Sequence, residues 1–306
     1  MLFNVAVPPT MNNGIVITIL KHGKKNKSDP NNYRGIVLLP VIYKLFEKVT
    51  LKRMLDQLES VNELYPDPLQ AAYQKQLSSL NTSFVLTETI KYNQERGSKV
   101  FVCFLDTIKA FDYVWHNGLM VKLFEAGICG KMWDIVRLAY SGAQNYIMHN
   151  GVLSQPIPVQ QSTRQGSFWG AQFFLLYVDP LIKLLRNAKL GAYVGSLYCG
   201  AVFHADDIAL IAVQRKTLQN MINICYSYNC KWRMNIHPEK TKIMVYGESK
   251  IQKPKNLLLR CWSLGEETIA EVKSHVHCGV KLTTDGTSAN ITKEACRKGR
   301  GLLLAI

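Results

Sequence analysis

The sequence lacks any Cys-x-x-Cys pair: its eight cysteines, at 103, 129, 199, 225, 230, 261, 278 and 296, are scattered along 306 residues. Scattered thiols with no secretory segment ahead of them exclude a small disulfide scaffold and imply a reduced, intracellular chain, without separating nucleus from cytoplasm. The start, MLFNVAVPPT, has no basic n-region and carries two prolines, which speaks against a signal peptide. No apolar run reaches the ~18 residues that a bilayer span needs, so a soluble protein with no membrane partner is expected. There is no repeat of 20 to 50 residues, which excludes solenoids and propellers. Acidic residues are scarce, 22 against 37 Lys and Arg, for a net charge of +15. Such an excess calls for a polyanionic partner, and in a soluble chain nucleic acid is favoured over lipid.

What is present has α+β order. GIVITIL (14 to 20) reads as a strand entering a Gly-, Asn- and Pro-rich loop crowded with Lys21, Lys24, Lys25, Lys27 and Arg34, an exposed basic hairpin or finger. From Pro40, the spacing of Ile42, Leu45, Phe46, Val49 and Leu55 predicts an amphipathic helix with that stripe inward and Lys44, Lys48, Lys52 and Arg53 adding charge. KVFVCFLD (99 to 106) is a strand ending on a carboxylate. A helix follows with Leu119, Leu123 and Phe124 in register and Gly127 as its stop, then a second over roughly 131 to 140. Asn150-Gly151 marks a hairpin. Residues 168 to 188 are apolar and helical, with a break or restart required at Asp179-Pro180. Thr217 caps a helix whose inner face is Leu218, Met221, Ile222, Cys225 and Trp232, and TKIMVYG (241 to 247) returns to strand.

Within FHADDIALIA (203 to 212) two adjacent carboxylates, Asp206 and Asp207, interrupt an apolar run. They could simply make a turn, since aspartate is a common turn former. Against that, the flanks lack the Gly or Asn of most two-residue hairpins and are apolar enough for central strands, and Asp106 ends a second strand that could lie beside them. Two like charges about 4 Å apart repel by ~4 kcal/mol at an effective dielectric of 20, so convergence requires a cation. All-oxygen ligation suits Mg²⁺, and paired Mg²⁺ ions serve nucleotidyl transfer, so a basic chain with such a site fits a polymerase or a nuclease.

Together these blocks resemble the reverse transcriptase domain of non-LTR (long interspersed) retrotransposons. NNYRGIVLLPVIYKLFEK looks like the family's fingers segment, FLDTIKAFDYVWH like its first catalytic block, TRQG like the start of its second, HADD like its Tyr-Ala-Asp-Asp block and NIHPEKTKIMV like the block that follows, over about residues 14 to 285. The resemblance implies a right-hand polymerase fold, with residues 1–98 as fingers, 99–250 as palm with intervening helices, and 251–306 as the end of the palm and a partial thumb. It implies RNA-directed DNA synthesis with two Mg²⁺ ions, or Mn²⁺ in their place. RNA template, DNA primer and deoxynucleoside triphosphates are the partners, and no protein partner is identifiable. Asp106 and Asp206 are implied as metal ligands, with Asp207 as a third acidic member that ligates or positions. Lys240 would donate a proton to the leaving pyrophosphate, with Lys242 nearly as well suited. Phe111 would lie under the incoming sugar, where a flat ring leaves no room for a 2′-hydroxyl. Arg34 would pair with the triphosphate, and Gln165 and Gly166 would form the loop against the nascent pair.

Each role has a bland rival: Phe111, Tyr33, Trp115, Trp133 and Trp232 as core, and Arg34, Lys240 and Lys242 as surface cover. The chain also departs from the family. His204 replaces tyrosine, Trp169 and Gly170 replace leucine and serine after TRQG, with overpacking expected at the tryptophan, and Asp179-Pro180 replaces an Asn-Asp pair. These departures, with ends lying inside the fingers and the thumb, suggest a truncated or partly degenerate element copy. The alternative function is therefore a catalytically inactive remnant that keeps only nucleic-acid binding. A template-independent polymerase or a maturase-like RNA-folding protein is weaker still. His275, His277 and Cys278, with Cys261 and Cys296, could form a zinc site, but their spacing is poor.

Overall fold

The computed structural model describes residues 8–21, 26–61, 65–149, 151–164, 166–247 and 261–285. Lys24, Lys25, Asn150, Gln165, Cys296 and the part of the expected thumb beyond residue 285 lie outside them. The chain divides into two compact units, one of residues 1–66, 109–179 and 232–234, the other of 67–108, 180–231 and 235–306.

The second unit is built on a six-stranded sheet. Its order is Trp262–Leu264, Glu267–Glu271, Lys242–Tyr246, Val100–Asp106, Asp207–Ala212, Ala201–His204. All pairings are antiparallel except that of Lys242–Tyr246 with Glu267–Glu271. The central strands are near-continuous apolar runs because both faces are covered. Val100, Val102 and Phe104 join Ala209, Ile211 and Met244 in a core with Leu86 and Ile90 of the helix Ser79–Glu95. Cys103, one residue out of phase, points to Cys225 of the helix Arg215–Lys231. Ser78 caps the first of these helices in a capping box with Asn81. The second starts two residues before Thr217, so Thr217 is not its cap. Leu218, Met221, Ile222 and Cys225 are buried as expected, while Trp232 lies beyond the last turn.

The first unit pairs Asn13–Leu20 antiparallel with Tyr33–Leu38, the expected basic hairpin, and parallel with Gln144–His149, a pairing that periodicity could not announce. The expected hairpin around Gly151 is there, with Met148 opposite Leu153. The helix Val41–Val61 has the expected period and the wrong phase. It buries Tyr43, Glu47, Thr50, Met54 and Leu58, leaving Ile42 and Leu45 62% and 58% exposed. Polar Glu47 and Thr50 go inward because they have hydrogen-bond partners there, which a purely hydrophobic reading of the face cannot count. Of the next helix, His116–Glu125, Leu119 and Leu123 are buried but Phe124 is exposed, and Gly127 (φ +97°) follows its end as expected.

Phe168–Asn187 is one continuous helix with Pro180 inside it, so the expected break at Asp179-Pro180 does not occur. Proline removes a single i→i−4 bond, and burial of Leu175, Tyr177, Leu181, Ile182 and Leu185 offsets that loss. By length and composition alone this helix could cross a membrane, contrary to the expectation that nothing in the chain reaches that mark, but 67% of the qualifying window is buried inside the protein. That is the signature of a core helix.

Candidate active site

The strand Val100–Asp106 pairs with Asp207–Ala212 so that Asp207 stands opposite Asp106 and Ile208 opposite Leu105. Asp207 also pairs with His204 on its other side, which leaves Ala205 and Asp206 as a two-residue turn. Ala205 takes φ +56°, the sign required at the first position of a type II′ turn and usually supplied by glycine. Of the doublet, Asp206 thus closes a turn, while Asp207 starts the strand beside Asp106. The hairpin's register is fixed because Ile208–Ala212 is buried throughout, and a slip by one residue would exchange its two faces.

Gathering three carboxylates has an electrostatic consequence. The Asp206 carboxyl is pushed above the usual carboxylate range by partial burial and by the charges of Asp207 and Asp106, with its own backbone and His204 pulling the other way. Asp207 is raised by loss of water and by Asp106, while His204 and a hydrogen bond from Cys278 lower it. Lys240 Nζ lies 3.6 Å from Asp106 Oδ1, and both groups are well exposed, so the pair contributes about 1 kcal/mol or less. Backbone pairing holds Lys240 near: His237 N–H donates to Asp106 O at 2.8 Å, and Ile108 N–H to Asn235 O at 2.8 Å. Lys242, the rival, begins the strand Lys242–Tyr246 opposite Phe104.

The donor set, three oxygen acids whose mutual repulsion a dication would relieve, fits a hard divalent cation. As the side chains stand, no three His, Cys, Asp or Glu groups among the described residues are close enough to hold a metal ion. At the His275 segment the side chains are engaged in other contacts. The Cys278 thiol is pushed up to about 12 by burial and by the Asp207 and Asp206 charges, so it is the neutral S–H that donates to Asp207 Oδ2, at 3.9 Å. His275 stacks on Phe104 with ring centroids 4.5 Å apart, in the strand Ser274–His277.

The remaining sequence-predicted residues belong to the first unit, except Gln165, which lies outside the described residues. Phe111 stacks on Phe174 with centroids 4.2 Å apart, and its carbonyl accepts from Thr163 N–H at 2.9 Å, which ties it to the TRQG loop. Gly166 has φ +107°, and a Cβ there would meet Val37 O at 2.5 Å, so only glycine fits. Val37 lies in the strand Tyr33–Leu38 that also carries Arg34, exposed and opposite Ile19.

Arg164 and Glu47 were not singled out by the sequence. Arg164 is 1% exposed and donates through Nη2 to Asn12 O at 2.7 Å. Glu47, also buried, accepts from Ser167 Oγ at 2.5 Å and Phe168 N–H at 2.9 Å, closing the N-terminus of the helix Phe168–Asn187. Burial raises the Glu47 carboxyl, and those hydrogen bonds with the Arg164 charge oppose the rise. Trp169 does not overpack. It is fully buried, donates from Nε1 to Glu47 O at 3.0 Å and to Thr50 Oγ1 at 3.2 Å, and sits among Tyr43, Phe46, Tyr140 and Phe173. The available signal was Glu47 itself, an acid in helical phase with Tyr43, Thr50 and Met54.

Residues 20–277 match the family described as reverse transcriptase (RNA-dependent DNA polymerase). The chain belongs to that family. Among curated relatives of this reverse transcriptase, the RNA-directed DNA polymerase from mobile element jockey of Drosophila funebris is 28% identical over 236 residues, 74% of this chain and 24% of its own length. The probable RNA-directed DNA polymerase from transposon BS of Drosophila melanogaster is 26% identical over 243 residues, 74% of this chain and 25% of its own length. These are mobile-element polymerases, in keeping with the resemblance to non-LTR retrotransposons. The chain spans about a quarter of their length. Apo telomerase from Candida tropicalis, truncated from its C-terminal domain, aligns with a TM-score of 0.60 at 14% identity, covering 91% of this chain and 55% of that one. At that identity the likeness establishes the fold, α+β and of the right-hand polymerase kind.

Proposed function

We propose that this reverse transcriptase domain extends a DNA 3′ end on an RNA template, using deoxynucleoside triphosphates. The observation that carries the reading is the register of Asp207 against Asp106, with Asp206 in the adjoining turn. Asp106, Asp206 and Asp207 would hold two Mg²⁺ ions, or Mn²⁺. When bound, these ions would supply activation of the primer 3′-hydroxyl and stabilisation of the leaving oxygen. Lys240, beside Asp106, would serve as proton donor to the departing pyrophosphate. Arg34 offers a forked donor set to the triphosphate, Phe111 excludes a 2′-hydroxyl, and Gln165 with Gly166 lets backbone approach the nascent pair. The net charge of +15 supports a nucleic-acid partner, and the scattered thiols support an intracellular setting. We assign residues 1–98 to fingers, 99–250 to palm and 251–306 to the end of the palm and a partial thumb.

The test is primer extension on poly(rA)/oligo(dT) with Mg²⁺ or Mn²⁺, comparing the purified chain with Asp206→Asn. Synthesis by the parent and none by the variant is the expected outcome. A folded parent that binds RNA equally well in EDTA, releases it with salt and synthesises nothing would instead be a remnant that keeps binding alone. His204, in place of the family's tyrosine beside the turn, is the feature that favours this second reading; its ring Nδ1 is buried without a hydrogen-bond partner.

A further inference from the structure

Beside the catalytic turn lies a segment that no motif marked. Residues 67–72 (DPLQAA) form no regular element of their own, yet they run along Ala201–His204, the strand that ends the sheet order. Phe203 N–H donates to Leu69 O at 2.8 Å, Ala71 N–H donates to Phe203 O at 2.9 Å, and Gln70 bridges Phe203 in parallel sense. The strap thereby covers a sheet edge. It is fastened at its start by a fork: Arg186 Nη1 and Nη2 bond Asp67 Oδ2 and Oδ1 at 2.6 and 2.7 Å, while Oδ1 also accepts from Leu69 N–H at 3.0 Å.

Gln70 is fully buried. Its Oε1 accepts two backbone N–H groups, Ala205 at 2.8 Å and Ala72 at 3.1 Å. Ala205 opens the turn, and pairing of His204 with Asp207 makes no use of its amide, so a buried donor would otherwise stay unpaired. Ala205 is also the turn residue held in the left-handed region without the freedom of glycine. Nε2 of the same side chain is buried with no partner, so the acceptor half of the amide is what the fold uses.

We propose that Gln70 is a positioning residue of the catalytic turn: its amide oxygen holds Ala205 in the left-handed conformation and thereby fixes where Asp206 and Asp207 stand against Asp106. The inference rests on the reading of those aspartates as catalytic. Gln70 touches no reacting group and acts through the Ala205 backbone alone.

The test uses the full chain and two variants. Gln70→Met keeps the length and removes the acceptor, and Gln70→Glu restores an acceptor at the same reach. Amide exchange is followed on peptides spanning the turn and on the rest of the sheet, and kcat and KM for dTTP are measured on poly(rA)/oligo(dT). Gln70→Met is expected to speed exchange at the turn selectively and to lower kcat on the order of 10- to 100-fold with KM unchanged, as misplacement of reacting groups does. Gln70→Glu is expected to recover both. The proposal is overturned if turn exchange in Gln70→Met matches the parent, if exchange rises equally across the whole sheet, or if Gln70→Glu fails to recover it. Unfolding of both variants would equally overturn it, since Gln70 would then serve the fold as a whole. If the parent makes no DNA, the functional reading falls, and the exchange experiment still decides whether Gln70 holds the turn.

Discussion

Asp207 faces Asp106 across one antiparallel pairing, a hundred residues apart in sequence and adjacent in the sheet. A hairpin and a strand end thus bring Asp106, Asp206 and Asp207 to one end of the sheet, which neither does alone. Asp106→Asn and Asp206→Asn should each lower primer extension by at least about 100-fold while leaving RNA binding in EDTA intact. Equal synthesis by parent and variant would remove these carboxylates from the chemistry.

Chelation should stop synthesis without unfolding the chain. Dialysis against EDTA is expected to abolish extension, excess Mg²⁺ to restore it, and far-UV dichroism to stay unchanged throughout, because the sheet that carries the three aspartates is held by its apolar core. Synthesis persisting in EDTA would contradict the metal.

Phe111 is half-buried and stacked on Phe174. Phe111→Ala should reduce discrimination against ribonucleotides on the order of 10- to 100-fold, measured as the ratio of kcat/KM for dTTP and UTP. It should cost about 2 to 3 kcal/mol of stability as well. Lost stability with discrimination unchanged would leave Phe111 as core packing only.

Trp169→Leu, a change toward the residue usual in the family, should destabilise the protein by about 3 kcal/mol in urea unfolding. Leucine would leave a cavity beside Tyr140 and Phe173 and remove the hydrogen bonds that Nε1 donates to Glu47 O and Thr50 Oγ1. A variant as stable as the parent would show that the tryptophan is strained after all.

His116 is buried, its ring Nε2 is 3.0 Å from Ser162 O, and burial first, then Arg164, lowers its pKa to about 4 from 6.5. The unfolded chain therefore binds the proton more tightly than the folded one. The stability this group contributes is complete above pH 6.5 and is lost as the pH falls through that value toward about 4, at most on the order of 3 kcal/mol. His116→Gln, which keeps an N–H donor and cannot titrate, should flatten the stability difference between pH 7 and 4.5. An unchanged difference would assign the acid sensitivity to other groups.

Elements whose signal is local were legible in the amino-acid order alone. The strand ending at Asp106, the basic hairpin, the helices after residues 115 and 129, and the blocks that identify the family are all legible in short windows, because apolar period, turn residues and motif order are properties of neighbours in the chain. The remainder depended on contacts between distant parts of the chain. The helix Val41–Val61 turned its polar Glu47 and Thr50 inward because Ser167, Phe168 and Trp169, more than a hundred residues away, supply their partners. Pro180 stayed inside a helix because burial of the surrounding side chains outweighs one missing hydrogen bond. Gln70 became the partner of Ala205 through a strap whose pairing has no period to read. A buried polar group is satisfied only by what the fold brings to it, and that partner is written elsewhere in the chain.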